Sequence, residues 1–252
     1  MMATSSTAED LQAAAPWSQD EFLAALRAVG GKRYHDKHPF HVRMNNGTLT
    51  RTQLQIWAVN RFYYQRSIPL KDAAILSNMP DPNMRRRWMT RIIDHDGERP
   101  GTGGIETWLR LVEAVGVPRE RALDEHAILP GVRFAVDAYV NFARTKPWII
   151  AVASSLTELF SPGLMRTRIA AFEQFYPWVE EEGLRYFRSR LTQAPRDSEH
   201  ALELVFAYCR SRELQEEAVA ALDFKCDVLW VQLDAIEQAC REEDEAAAGR
   251  AG

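Results

Sequence analysis

Cysteine is scarce and scattered: the 252 residues carry three, Cys209, Cys226 and Cys240, and no two form a CxxC pair. That spacing builds neither a disulfide framework nor a thiolate zinc site, and it fits a reducing, cytoplasmic setting. A basic excess is missing too. Lys and Arg number 31 against 35 Asp and Glu, a net charge of −4, which argues against nucleic acid as the main partner. No strand-like alternation persists, no internal repeat recurs, and no linker divides the chain. No apolar run reads as long enough to cross a bilayer, and the N-terminus lacks a charged-then-apolar signal pattern, so no membrane partner is expected. GxSxG is absent, which removes the usual serine nucleophile elbow. The glycine-rich GERPGTGG (97–104) follows no strand and lacks the Lys-Ser/Thr of a phosphate-binding loop, so it reads as a connector.

What is present is helical periodicity, in a chain that is 46% apolar. The pattern predicts helices near 19–30, 50–67, 69–79, 82–96, 105–116, 131–145, 148–160, 163–175, 178–192, 197–210 and 212–242. Thr50 reads as an N-cap, and Asp81-Pro82 places proline where a first turn tolerates it. The expected organisation is one all-α domain over 19–242, with mobile tails at 1–18 and 243–252.

Several of these helices carry polar groups where apolar ones belong. Trp57, Arg61, Tyr64, Gln65 and Ile68 share one stripe. Lys225 interrupts the stripe Leu222, Leu229, Leu233, Ile236. Tyr186 and Arg190 lie one turn apart, Tyr139 follows Val136 at i+3, and Thr157 with Glu158 breaks a Leu/Phe face. In RIIDHDGE (91–98), Arg91 and His95 lie one turn apart beside Trp88 and Ile92. His95 admits two readings at this point, a satisfied helix-end residue or a proton acceptor. Inward charges need carboxylates, water or a ligand. Arg61, Arg91, Arg168, Arg190 and Lys225 are expected to outnumber acids such as Glu158 and Asp94, and the surplus points to a small polyanion. Arginine suits carboxylates because its planar fork binds them bidentately.

The cluster His35, His38, His41 looks ligand-like, but Pro39 interrupts regular helix there and acidic partners at metal spacing are absent. Paired Glu-x-x-His motifs of a di-metal bundle are also lacking. No metal is expected.

The ordered blocks YHDKHPFH (34–41), NRFYYQRSIPLKDAAI (60–75), RIIDHDG (91–97), GGIETWLRLVEAVG (103–116), LPGVRFAVDAYVNFAR (129–144), SSLTELFSP (154–162), YFRSRLTQAPRD (186–197) and FKCDVLW (224–230) resemble the pyrroloquinoline-quinone synthase family. The resemblance runs from about residue 19 to 240. It implies a seven-helix, haem-oxygenase-like bundle and a homodimer. It also implies oxidation of a polycarboxylated quinone precursor, with ring closure, O2 as co-substrate and H2O2 released, without metal or organic cofactor. It assigns catalysis to His95, Tyr186, Arg190 and His35. It assigns substrate or product binding to Tyr34, Arg61, Gln65, Arg91, Tyr139, Thr157, Glu158, Arg168 and Lys225. One departure is Met165, where some members have histidine. A thioether cannot shuttle a proton, so the load shifts to His35 and His95. Two rivals remain: a thiaminase-type enzyme, which needs a reactive cysteine in the pocket, and a non-catalytic quinone carrier.

Overall fold

A computed structural model describes residues 14–251. Among them there is no strand. The chain forms eleven α-helical segments and four short 3-10 turns rather than the seven helices that the resemblance implies. The extra count arises where proline starts a segment or a 3-10 turn splits one. Helix α1 (Gln19–Arg33) starts with a capping box in which Ser18 and Glu21 satisfy each other's backbone N–H groups. A 3-10 turn (His35–Lys37) leads to α2 (Pro39–Asn45), a helix that the sequence pattern does not predict. Pro39 does not break it but opens it at the first turn, where a missing N–H costs nothing. His38 supplies the cap: its Nδ1 accepts from the Phe40 N–H at 3.1 Å.

Helix α3 (Arg51–Asn78) spans the two helices expected either side of Ile68, with Pro69 buried inside it. Proline removes one backbone bond there. Packing against α4 (Pro82–Asp96) and α7 (Pro130–Thr145) keeps the helix continuous. Between those two come α5 (Gly103–Ala114) and the short α6 (Arg119–Leu123). After α7 follow α8 (Trp148–Ser154), a 3-10 turn (Ser155–Leu159) and α9 (Ser161–Phe175). The stretch Trp148–Phe175 has the length and mean hydropathy, 1.3, of a membrane span, against the sequence expectation. It is 67% buried over its apolar window and is divided by the 3-10 turn, as in a core segment.

The predicted helices at 178–192 and 197–210 become a 3-10 turn (Glu181–Leu184) and a single α10 (Arg185–Tyr208), again running through a proline, Pro195. Helix α11 (Arg212–Ala251) continues past residue 242, so the expected C-terminal tail is helical through Ala251. Most of the expected N-terminal tail lies outside the described residues. Its end is anchored: the Trp17 N–H donates to Gln215 Oε1 at 2.7 Å, and Arg212 stacks on its ring.

The core is dominated by Trp57, Trp108, Phe172 and Phe187, whose rings meet edge-on or stacked at centroid distances of 5.3–6.4 Å. Gly30 marks a close approach, since a Cβ there would collide with the Phe160 ring. That ring packs on Tyr34 at 5.2 Å, so the bare helix face at Gly30 sets the position of a cavity residue. Gly97 ends α4 at φ +84°, a conformation suited to glycine, with its N–H bonded to Ile93 O at 2.7 Å. The chain therefore turns immediately after His95.

Candidate active site

The core holds a cavity of about 50 Å³. Ten of the thirteen expected site residues line it: Tyr34, His35, Arg61, Gln65, His95, Thr157, Glu158, Arg168, Tyr186 and Arg190. Helix α3 presents Arg61, Tyr64, Gln65 and Ile68 along a single stripe. The end of α4 supplies His95, the 3-10 turn before α9 supplies Thr157 and Glu158, and α10 supplies Tyr186 and Arg190. Tyr64, Ile68, Trp108, Ser161, Met165 and Leu229 complete the wall. Tyr64 and Ile68 stand in the polar-interrupted stripe of α3 and could have been read from it. Trp108 and Ser161 carry no such signal, because their place depends on contacts distant in sequence.

Three expected residues do not line this cavity. Arg91 lies behind it, with Nη2 3.8 Å from Glu158 Oε1 and Nε 3.6 Å from Asp72 Oδ1. It also donates to Asp197 O at 3.2 Å. Lys225 and Tyr139 sit beyond Tyr64. Lys225 Nζ donates to the Tyr64 hydroxyl at 2.8 Å and lies 3.5 Å from the centre of the Tyr139 ring.

The expected surplus of cations divides into two groups. Arg190 is paired, with Nη2 2.7 Å from Glu158 Oε2 and 3.4 Å from Asp197 Oδ2. Arg91 shares these acids, and Lys71 meets Asp72 at 2.6 Å. These cations are compensated by carboxylates, some on their own helix and some on other elements, which corrects the reading of Arg91 and Arg190 as surplus charge. Asp94 is not among those acids, since it pairs with Arg196 near the surface.

Arg61, Arg168 and Lys225 differ. Each is buried, and among the described residues none has a carboxylate at ion-pair distance. Their hydrogen-bond partners are neutral: Gln232 Oε1 for Arg61 at 2.9 Å, His41 Nε2 for Arg168 at 3.0 Å, and the Tyr64 hydroxyl for Lys225. Burial and the nearby Arg61 guanidinium lower the affinity of both Arg168 and Lys225 for their protons. Burial alone lowers that of Arg61. Arginine nonetheless stays charged in proteins, so the cavity is short of negative charge.

His95 is oriented by its own helix. Its Nδ1 lies 3.0 Å from Arg91 O, and since a carbonyl only accepts, Nδ1 carries the hydrogen. That leaves Nε2 with a free lone pair, and Nε2 is buried without a partner. Burial and, next, Arg190 lower its pKa to about 4. Tyr186 donates to Gln65 Oε1 at 2.8 Å, and burial raises its pKa. His35 has an unpartnered buried Nδ1 and is held neutral first by burial, then by His41 and the arginines. The arrangement can hold an anion, accept a proton at His95 Nε2 and donate hydrogen bonds from phenols.

No three His, Cys, Asp or Glu side chains among the described residues converge as metal ligands. His38 turns away from the cavity, with Nε2 3.0 Å from Asp234 Oδ1. Burial pushes Cys226 and Cys240 up to about 12 and Cys209 to about 11, unlike an activated thiolate. None of the three lines the cavity.

The buried histidines also fix an acid limit. His35, His41 and His95 have folded-state pKa values depressed below the ordinary 6.5. The unfolded chain therefore binds protons first as pH falls, so their contribution to stability is intact above 6.5 and is lost as pH falls, through about 4 in the case of His95. Urea unfolding should show stability falling between pH 6.5 and 5 by roughly 1 kcal/mol per pH unit for each such histidine. A flat profile over that window would show that they protonate as freely folded as unfolded.

The all-helical bundle is shared with solved structures. A TenA homologue from Pseudomonas syringae superposes with a TM-score of 0.72 at 14% identity, covering 87% of this chain and 92% of that one. A domain with a haem-oxygenase-like fold from Shewanella denitrificans superposes at 0.69, also at 14% identity, covering 88% and 91%. The fold is therefore haem-oxygenase-like. The profile of the TENA/THI-4/PQQC family matches residues 23–235, and the chain belongs to this family.

Within it, this chain is similar to pyrroloquinoline-quinone synthases. That from Cronobacter sakazakii is 57% identical over 87% of each chain. That from Pseudomonas aeruginosa PAO1 is 56% identical, again over 87% of each. The resemblance read in the sequence blocks holds.

Proposed function

We propose that this protein acts in pyrroloquinoline quinone biosynthesis as a cofactor-independent oxidase. It closes the last ring of a polycarboxylated quinone precursor and oxidises it with O2. The observation that carries the reading is a pair of buried arginines lining the cavity, Arg61 and Arg168, held only by neutral partners. A buried cation without an anion is costly, and a ligand bearing several carboxylates removes that cost. His95 Nε2 takes the proton from carbon, which readies the substrate to release an electron pair. Each O2 that receives an electron pair and two protons leaves as H2O2. Tyr186, Arg190 and His35 assist oxygen reduction and proton transfer, and Met165 takes no part in the latter. The working unit on this reading is a cytoplasmic homodimer.

The test is absorbance spectroscopy of the protein mixed with the quinone precursor, in air and under nitrogen. Product should form to completion only in air, with oxygen consumed and peroxide released, and chelator treatment should leave turnover unchanged. Tight binding without oxygen consumption would identify a carrier instead. Activity lost on chelation and restored by iron would overturn the cofactor-independent chemistry.

A further inference from the structure

We propose that Gln232 and His41 are positioning residues: they aim Arg61 and Arg168 with neutral acceptors, so that both guanidinium charges remain available to an anionic ligand. The inference rests on the polycarboxylate reading of the cavity and adds to it how the binding charge is preserved.

The comparison that points to this lies within the molecule. Four arginines, Arg61, Arg91, Arg168 and Arg190, are 3–8% exposed. Arg91 and Arg190 are held by the carboxylates of Asp72, Glu158 and Asp197. Arg61 and Arg168 reach instead to an amide oxygen and an imidazole lone pair. An unsatisfied buried N–H is costly, so each guanidinium needs an acceptor. A carboxylate would satisfy the N–H but also cancel the charge. An amide or imidazole supplies the lone pair alone.

Both holders are themselves fixed. Gln232 on α11 is fully buried, and its Nε2 donates to Val228 O at 3.0 Å, which directs Oε1 towards Arg61. His41 on α2 donates from Nδ1 to His35 O at 2.9 Å, which leaves Nε2 as the acceptor facing Arg168. Protonation of His41 would put an N–H against a guanidinium. Burial and Arg168 both oppose it. The aromatic neighbours of the arginines are also neutral: the Tyr64 ring lies 3.9 Å from Arg61, and the Trp57 and Phe187 rings lie 5.3 and 5.5 Å from Arg168.

Gln232→Glu keeps shape and an acceptor for Arg61 but adds a negative charge beside it, at the loss of the bond to Val228 O. Gln232→Met keeps Arg61 charged and removes its acceptor. The probes are citrate and pyrroloquinoline quinone, titrated calorimetrically, with melting temperatures of the empty proteins measured alongside. Gln232→Glu should melt at or above the wild-type temperature yet bind both probes at least about tenfold more weakly. In turnover its defect should fall on KM. Gln232→Met should lose affinity with a lower melting temperature. His41→Gln, which can still present an acceptor, should bind more like wild type than His41→Leu. Unchanged affinity in Gln232→Glu, loss only in step with melting temperature, or no binding of either probe by wild type would overturn the proposal. If wild type binds citrate but not the quinone, and Gln232→Glu loses citrate, the positioning role stands and the quinone substrate falls.

Discussion

Replacing His95 by asparagine should leave precursor binding within a few-fold of wild type and slow oxidation by about 10²–10⁴, the usual worth of a positioned base. The lone pair at Nε2 is the reason: His95 lines the cavity and its buried Nε2 has no partner, while Nδ1–H is fixed to Arg91 O. Asparagine retains hydrogen-bonding capacity but accepts no proton at neutral pH. Alanine at 95 should stall similarly, between ring closure and full oxidation. In the empty site the His95 pKa of about 4 keeps the imidazole neutral across the physiological range. A bound polyanion favours the imidazolium and strengthens the base when substrate is present. Single-turnover spectra under nitrogen and in air check this. Wild-type rates in both variants would make His95 a packed helix-end residue.

Arg61→Ala should cost the complex about 2–5 kcal/mol of binding free energy, the range for truncating a buried charge partner. The empty protein should melt close to wild type. Removing Arg61 leaves Gln232 Oε1 without its donor, but it also removes a buried cation that has no anion, and these effects oppose each other. Titration with pyrroloquinoline quinone and thermal melting distinguish the outcomes. Unchanged affinity with a sharply lower melting temperature would make Arg61 a structural residue.

Much of this site was legible because a helix stripe reports burial. Arg61, Gln65 and Lys225 stood out as polar groups on apolar faces, and all three are buried. A stripe does not report what the charge meets. Arg91 and Arg190 looked as free as Arg61, yet Asp72 and Asp197 reach them from other turns and helices. Gln232 had no signal at all, and His41 stood out only as one of three clustered histidines, because a neutral amide or imidazole on a helix is ordinary until its partner is known. The expected ranges part near Pro69 and near Pro195, where packing holds α3 and α10 continuous, and Pro39 was read as interrupting helix where it starts α2. The identities of the reaction and substrate came from the resemblance of sequence blocks, since cations and a histidine specify an anion and a proton transfer but no particular quinone.

Helix α11 has a consequence for synthesis on the ribosome. Arg61, His95, Arg168 and Arg190 all emerge before residue 212, but the acceptor for Arg61 and the cation Lys225 belong to the last forty-residue helix. Until α11 docks, Arg61 in the nascent chain lacks its acceptor, and the faces of α1, α7 and α8 that pack on α11 stay uncovered. The cavity therefore stays incomplete in a partly made chain, without Leu229 and without the residue that aims Arg61, until the C-terminal helix has closed.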